Sequence, residues 1–278
     1  MLREIYRRVV PAGARRAVRR LGAPAPPLGV TYELACGTQA DASGSSWAKP
    51  SVTARFKQGL ETFDLTRARR EPASALASPI VCENLSMLER MRLDEATLLD
   101  FGCGNGLYRV VLAHHAATAR WEYTGADVNR ELVEWCRAEH AGARFEVVSE
   151  SGPLPFGEGE FDVVLASGVL QYVARHEAAL SELRRVTRGH LVVSRLPVWR
   201  DGPTRLVVQR VRHAWGRENH LLRVFNRGEL EDLFARAGLA VAERAEGSEA
   251  FDVPRVAERA VLDHFLLRKV SGGGEPCG

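Results

Sequence analysis

A glycine-rich stretch, Asp100-Phe101-Gly102-Cys103-Gly104-Asn105-Gly106, follows a short apolar run and precedes a helical pattern. A strand–turn–helix of this kind binds nucleotides, because glycine has no Cβ to hold a ligand away and adopts positive φ at no steric cost. The spacing is G-x-G-x-G, whereas the dinucleotide fingerprint G-x-G-x-x-G needs a third glycine where this chain has Leu107. We therefore expect a nucleotide-like ligand without a pyrophosphate at Gly102, Cys103, Gly104 and Gly106.

Two acidic residues accompany this turn. Asp100 stands just before it, and Asp127 ends the next predicted strand, 25 residues after Gly102. A carboxylate at that strand tip can accept hydrogen bonds from both hydroxyls of a ribose; the alternative is that Asp127 only caps the following helix. S-adenosylmethionine has a sulfonium and a zwitterionic amino acid in place of a pyrophosphate, and Asp100 suits its ammonium group, directly or through water. The pattern thus favours S-adenosylmethionine over NAD.

From residue 97 onward, short apolar runs alternate with amphipathic stretches of ten or more residues, which predicts parallel βαβ units. The predicted strands are 97–101, 121–126, 144–148, 161–166, 190–195, 239–245 and 262–269. The predicted helices are 106–117, 130–140, 175–187 and 227–237. Asn226 is the expected N-cap of the last helix and Gly238 its C-terminal glycine.

Three motifs occur in order: L-D-F-G-C-G-N-G at the turn, G-A-D-V at Asp127, and L-P-F-x-x-x-x-F-D-V-V from Leu154. Together they resemble the class I S-adenosylmethionine-dependent methyltransferases over roughly residues 95–270. The resemblance implies an α/β fold, a Rossmann-like seven-stranded mostly parallel sheet with helices on both faces and an antiparallel last strand. It implies cofactor contacts from Asp100, the glycine loop and Asp127, with the adenine near Val128 and Ser149 or Glu150, and Ser167 on the methyl-donor side.

A looser resemblance, carried by Ser167 to Tyr172, Arg195-Leu196-Pro197, Gln209 and Val224 to Arg227, is to uncharacterised bacterial methyltransferases. Some of these lie near saccharide or secondary-product genes, which implies a small-molecule or glycan acceptor. Family members often have histidine near the position of Gln171. The residues expected to contact the acceptor are Gln171, Arg195 and Trp199.

Methyl transfer is an in-line displacement at the methyl carbon, so alignment and exclusion of water can supply much of the rate without a base. A hydroxyl acceptor would benefit from a base within hydrogen-bond reach. The candidates are Tyr172, His176, His213 and His220, of which Tyr172 follows the fourth strand at the expected mouth of the site.

The chain divides into a basic arm and Pro-rich linker (1–30), a helical cap (31–95) and a cofactor-binding core (96–272) with a lid at about 196–225. Seven arginines and one glutamate in residues 1–20 leave the remainder slightly acidic, so no nucleic-acid-binding core is expected. Five scattered cysteines without C-x-x-C indicate neither disulfides nor a metal site. The absence of a long apolar run and of a signal-peptide pattern predicts a cytoplasmic protein without stable membrane insertion. A monomer or homodimer is expected.

Two rival functions stay open at this point. One is an NAD-linked oxidoreductase, which Leu107 and the lack of a second G-x-G-x-x-G turn disfavour. The other is a non-catalytic nucleotide-binding protein, which the intact loop and Asp127 disfavour.

Overall fold

The computed structural model describes residues 29–35, 65–149, 152–213 and 216–270. Its strands are β1 (Gly29–Leu34), β2 (Thr97–Phe101), β3 (Glu122–Asp127), β4 (Arg144–Val147), β5 (Phe161–Ser167), β6 (Thr187–Trp199), β7 (Arg205–His213), β8 (Gly216–Asn226), β9 (Leu239–Phe251) and β10 (Ala260–Lys269). Its helices are α1 (Leu65–Arg70), α2 (Pro72–Leu76), α3 (Pro79–Arg90), α4 (Leu107–His114), α5 (Arg130–Glu139), α6 (His176–Val186) and α7 (Arg227–Arg236).

The predicted seven-stranded sheet is present, in the order β4-β3-β2-β5-β6-β10-β9. The strands from β4 to β6 pair in parallel, and β10 is antiparallel to both β6 and β9. The Rossmann-like architecture expected from the motifs is thereby confirmed.

Both faces of this sheet are covered, as parallel sheets require. Successive strand residues point to opposite faces, so Leu99 and Val164 lie in one apolar cluster and Leu98 and Val163 in the other. Helices α6 and α7 contribute to the first cluster, and α1, α3, α4 and α5 to the second. The parallel strands thus end together at one edge of a rigid core.

The helix ends follow the local sequence. The Asn129 side chain accepts from the Leu132 amide at 3.1 Å, and Asn226 accepts from the Glu229 amide at 3.0 Å. Gly238, with φ of 72°, follows α7 and allows the chain to turn into β9. The caps predicted at Asn226 and Gly238 are confirmed.

The segment expected to form a lid is mostly β-structure. β7 and β8 form an antiparallel hairpin, and β1 adds to β7 as a further antiparallel strand. β8 joins the core through Val198↔Phe225 and Trp199↔Asn226 at the far end of β6. Val207, Leu222 and Val224 bury one face of this hairpin against Trp199, which is why this arginine-rich segment forms strands.

The expected N-terminal cap is partly described. Helices α1, α2 and α3 occupy its second half, but the region begins with strand β1 rather than a helix. This strand forms because it pairs with β7. Tyr32 lies opposite Gln209, which is 177 residues further along the chain. Residues 36–64 and the basic arm lie outside the described residues. Among the described residues, none of the helices is long and apolar enough to cross a membrane.

Candidate functional site

The glycine loop connects β2 to α4 at the carboxyl edge of the parallel strands. Gly102, Gly104 and Gly106 have φ of 78°, 55° and 75°, values that side chains disfavour. The amides of Gly102 and Cys103 donate to the carbonyl of Ala126 at 2.7 and 3.0 Å, which ties the loop to the end of β3. A Cβ on Gly102 would overlap the Val169 side chain, so the loop after β5 packs directly on this turn.

Asp127 lies at the tip of β3, next to the loop. Its carboxylate accepts from the Gly104 amide at 3.0 Å and from the Asn129 amide at 2.9 Å. Burial raises the pKa of Asp127, and these amide hydrogen bonds oppose that rise. Two carboxylate oxygens offer about four acceptor positions, so these amides leave capacity for further donors.

Asp100 is buried beneath the same loop, with 1% of its surface exposed. The Tyr123 hydroxyl donates to its Oδ2 at 2.8 Å. Burial raises the pKa of Asp100 to about 7, the Tyr123 hydrogen bond lowers it, and the charge of Asp127 raises it. Burial also raises the pKa of the Cys103 thiol, which therefore stays uncharged beside the two carboxyl groups.

His140 supports the loop from behind, and sequence reasoning did not identify it. Its Nε2 lies 2.9 Å from the Asn105 carbonyl oxygen, and a Cβ on Gly106 would stand 2.7 Å from the same nitrogen. Burial lowers the pKa of His140, which favours its neutral form. Arg69 of α1 bonds to Glu139 and lies 3.5 Å from the other ring nitrogen, so the cap contacts the loop through this residue.

The residues expected beside an adenine follow β3 and β4. Val128 is partly buried against the apolar core, and Ser149 is exposed after β4, where its hydroxyl accepts from the Gly152 amide at 3.2 Å. Glu150 lies outside the described residues. Their contact with a cofactor remains a prediction.

Ser167 ends β5, where helix α3 reaches the sheet edge. The Asn84 side chain, fully buried on α3, donates to the Ser167 hydroxyl at 3.0 Å and also to the Tyr108 hydroxyl on α4. Asn84 thereby joins the cap, the helix after the glycine loop and the fourth parallel strand. Its position in a helical pattern gave no sign of this role, which depends on three elements meeting.

The residues after β5 lie at the expected mouth of the site. Gln171 is 7% exposed, its amide donates to the Arg195 carbonyl at 3.4 Å, and its buried Oε1 has no partner among the described residues. The Tyr172 hydroxyl donates to Gln209 Oε1 at 3.2 Å, and Gln209 Nε2 donates to the Tyr32 hydroxyl at 3.3 Å. Arg195 forms an ion pair with Glu249 at 3.2 Å. Gln171, Tyr172 and Arg195 therefore lie together. The predicted strand 190–195 ends at Arg195, but β6 continues to Trp199, so Arg195 lies inside the strand and not at its end.

The other candidates from the sequence lie elsewhere. The His176 ring packs edge-on against Phe225 at 5.5 Å, and burial lowers its pKa. Trp199 is fully buried in the cluster behind β7 and β8, a packing position. His220, opposite Gln209 in the hairpin, is 2% exposed. The side chain of His213 is not described.

A second buried histidine was missed by sequence reasoning. His264 on β10 is 1% exposed, and its Nε2 lies 2.8 Å from Glu83 on α3. Burial lowers its pKa, and the Glu83 carboxylate opposes that effect. The pair ties α3 to the antiparallel strand, and a histidine inside an apolar strand pattern carried no signal for it.

Comparison with known proteins places these features in context. A family model described as a methyltransferase domain matches residues 99–193. The fold is similar to the crystal structure of Burkholderia thailandensis 1,6-didemethyltoxoflavin-N1-methyltransferase, which contains S-adenosylhomocysteine. The TM-score is 0.51 at 20% identity, over 81% of this chain and 92% of that one.

Two curated relatives are similar in sequence. The biotin biosynthesis bifunctional protein BioHC of Cellvibrio japonicus is 28% identical over 188 residues, 66% of this chain and 35% of that protein. The fatty-acid O-methyltransferase of Mycolicibacterium smegmatis is 31% identical over 126 residues, 41% of this chain and 45% of that protein. The chain thus spans less than half the length of these two relatives.

Proposed function

We propose that this chain is a class I S-adenosylmethionine-dependent methyltransferase that transfers a methyl group to an oxygen or nitrogen atom of a small molecule or glycan. The match of a methyltransferase-domain model to residues 99–193 supports this proposal. The observation that carries the proposal is the glycine loop, whose three positive-φ glycines are tied through Gly104 to the Asp127 carboxylate. The relatives named for biotin biosynthesis and for fatty-acid methylation support a biosynthetic, small-molecule role.

The charges around the loop fit this cofactor. Asp100 and Asp127 are close enough to interact: burial raises the pKa of Asp100, and the negative charge of Asp127 raises it further. Such a pair opposes the pyrophosphate of NAD and favours a ligand with an ammonium group and ribose hydroxyls. Bound there, S-adenosylmethionine supplies an electrophilic methyl carbon on its sulfonium sulfur.

The chain's own residues would then bind the cofactor and orient the acceptor. The loop amides and carbonyls hold the amino-acid end, Asp127 accepts from the ribose, and Val128, Ser149 and Glu150 border the adenine. The mouth formed by Gln171, Tyr172 and Arg195 orients the acceptor and limits the access of water. The pockets in open α/β sheets lie outside the carboxyl ends of the strands, where this mouth is.

Calorimetry with S-adenosylhomocysteine, S-adenosylmethionine and NAD tests the proposal. We expect the first two to bind and NAD to bind far more weakly. Binding of NAD without S-adenosylhomocysteine would favour the oxidoreductase alternative, whereas binding without methyl transfer to any small-molecule extract would favour a non-catalytic protein. A cytoplasmic location, a monomeric or dimeric state and the absence of a nucleic-acid partner remain predictions.

A further inference from the structure

Arg195 has an unusual backbone for an arginine inside a strand. Its φ is 56°, in the left-handed region that costs a non-glycine residue roughly 1–3 kcal/mol. The pairing of β6 with β10 shifts register across from it, between Asp263 and Phe265. The side chain consequently reaches over the end of β5: a Cβ on Gly168 would stand 3.6 Å from its Nη1. A guanidinium thus lies beside Ser167 and Gly168, at the mouth of the site.

An apolar wall continues outward from this charge. Tyr32 of β1 stacks on Phe251 of β9, with ring centroids 4.0 Å apart and planes 19° apart, and both rings are partly buried. Glu249, the ion-pair partner of Arg195, is two residues from Phe251 in the chain. Burial raises the pKa of Tyr32, and the charges of Glu249 and Arg195 also act on it, so both charges lie near the Tyr32 ring. The charged corner and the aromatic pair are therefore neighbours.

We propose that this corner binds the carboxylate of an acceptor with an apolar body, and that a carboxylate oxygen is the atom that is methylated. The inference rests on the proposed function and names its acceptor class. An arginine fork forms two parallel hydrogen bonds with a carboxylate, and the stacked rings offer apolar contact to the rest of the acid.

The chemistry balances without a base. The carboxylate oxygen forms a bond to the methyl carbon while the bond from that carbon to sulfur breaks, and the electron pair of the broken bond stays on sulfur. The negative charge of the acid and the positive charge of the sulfonium cancel, so no proton is released. Carboxylic acids are ionised above about pH 5, and the described histidines need take no part.

Glu249 competes with the acceptor for the same guanidinium. Its side chain is 44% exposed, and its Oε2 lies 3.2 Å from Nη2 of Arg195. Half-exposed pairs of this kind contribute about 0–1 kcal/mol, so an incoming carboxylate can replace Glu249. Removing the charge of Glu249 should strengthen acid binding.

The test is calorimetry on the S-adenosylhomocysteine-loaded protein with two acids, dodecanoate and 3-phenylpropanoate, and with dodecan-1-ol and dodecylamine. We expect at least one acid to bind about tenfold or more tightly than the alcohol and the amine, and Arg195→Gln to lose about tenfold in acid affinity, the effect of one charged hydrogen bond. Glu249→Gln should bind the acid more tightly. Arg200→Gln is the matched control, because it removes an exposed arginine that pairs with Glu246, a residue of β9 like Glu249. Its acid affinity should equal that of the wild type.

Turnover with the bound acid should yield its methyl ester without proton release to an indicator dye. Failure of both acids to bind, equal binding by Arg195→Gln, or one proton released per turnover would overturn the proposal. Failure of S-adenosylhomocysteine itself to bind would instead overturn the proposed function.

Discussion

The affinity for the cofactor should increase as the pH rises from 6 to 8, because a carboxyl group under the glycine loop titrates in that range. Asp100 is buried, and its burial raises its pKa to about 7. A cationic ligand above the loop favours the ionised carboxylate, so its binding is linked to the loss of this proton. The ammonium group of S-adenosylhomocysteine keeps its charge throughout this range.

The size of the effect follows from the ionised fraction. With a pKa of about 7, roughly one tenth of Asp100 is ionised at pH 6 and nine tenths at pH 8. If the ligand binds the ionised form, the association constant rises about tenfold between these values, or about 1.4 kcal/mol.

Calorimetry with S-adenosylhomocysteine at pH 6, 7 and 8 measures this slope. Asp100→Asn should flatten it, since the amide does not titrate. Tyr123→Phe removes the hydrogen bond that lowers the pKa of Asp100, so it should move the rise to higher pH. A wild-type affinity that does not change with pH, or an equal slope in Asp100→Asn, would refute the reasoning.

The same carboxyl group should affect the stability of the ligand-free protein in the opposite direction. Its pKa is about 7 when folded, above the ordinary aspartate value of 3.8, so the folded state binds more protons between these two pH values. Stability is therefore highest below about pH 4 for this group and falls as the pH rises to 7, by at most about 4 kcal/mol. Urea unfolding at pH 5 and 8 should show a smaller loss for Asp100→Asn, and identical losses would contradict the assignment.

Four further outcomes are expected. Asp127→Ala should weaken S-adenosylhomocysteine binding by about 1.5–3 kcal/mol, with Asp127→Asn less affected; an unchanged Kd by calorimetry would leave Asp127 as a loop anchor only. Asn84→Leu should lower the free energy of unfolding by about 1–3 kcal/mol, because the buried Tyr108 hydroxyl and the half-buried Ser167 hydroxyl lose a partner, and equal urea midpoints would contradict this. Gly102→Ala should abolish cofactor binding, and Gly102→Ala with Val169→Ala should restore it only in part, because the positive φ persists; full binding by the single variant would disprove the close contact. Tyr172→Phe should reduce turnover with cofactor affinity unchanged, whereas unaltered turnover would leave alignment and desolvation as the whole mechanism.

Local sequence was sufficient for the parallel core and its glycine loop. The strands from Thr97 to Ser167 were predictable because apolar runs of four to seven residues fit a sheet covered on both faces. The loop was predictable because its three glycines have positive φ, which their neighbours in sequence already suggested. Asp127 followed from its place at a strand end, a position set by the strand itself.

The mouth of the site was predictable only in part. Tyr172 could be placed there because it follows the end of β5. Arg195 was placed there as the end of the predicted strand 190–195, although β6 continues to Trp199. The residues that meet these two could not be predicted. Gln209 and Tyr32 reach Tyr172 only through the pairing of β1 with β7, and Glu249 reaches Arg195 only through an extended β9.

Strand pairing between distant segments is what the sequence alone left undecided. The stretch from Arg205 to His213 mixes valines with arginines without a strict alternation, a pattern that does not distinguish a helix from an edge strand. Its neighbours in the fold determine the outcome, because β8 and β1 supply its hydrogen bonds and Trp199 covers its apolar face. Asn84 and His264 likewise acquire their roles from α3 packing on the sheet edge. Local propensity and spacing therefore determined the cofactor loop, whereas contacts between residues far apart in the chain decided the shape of the acceptor side.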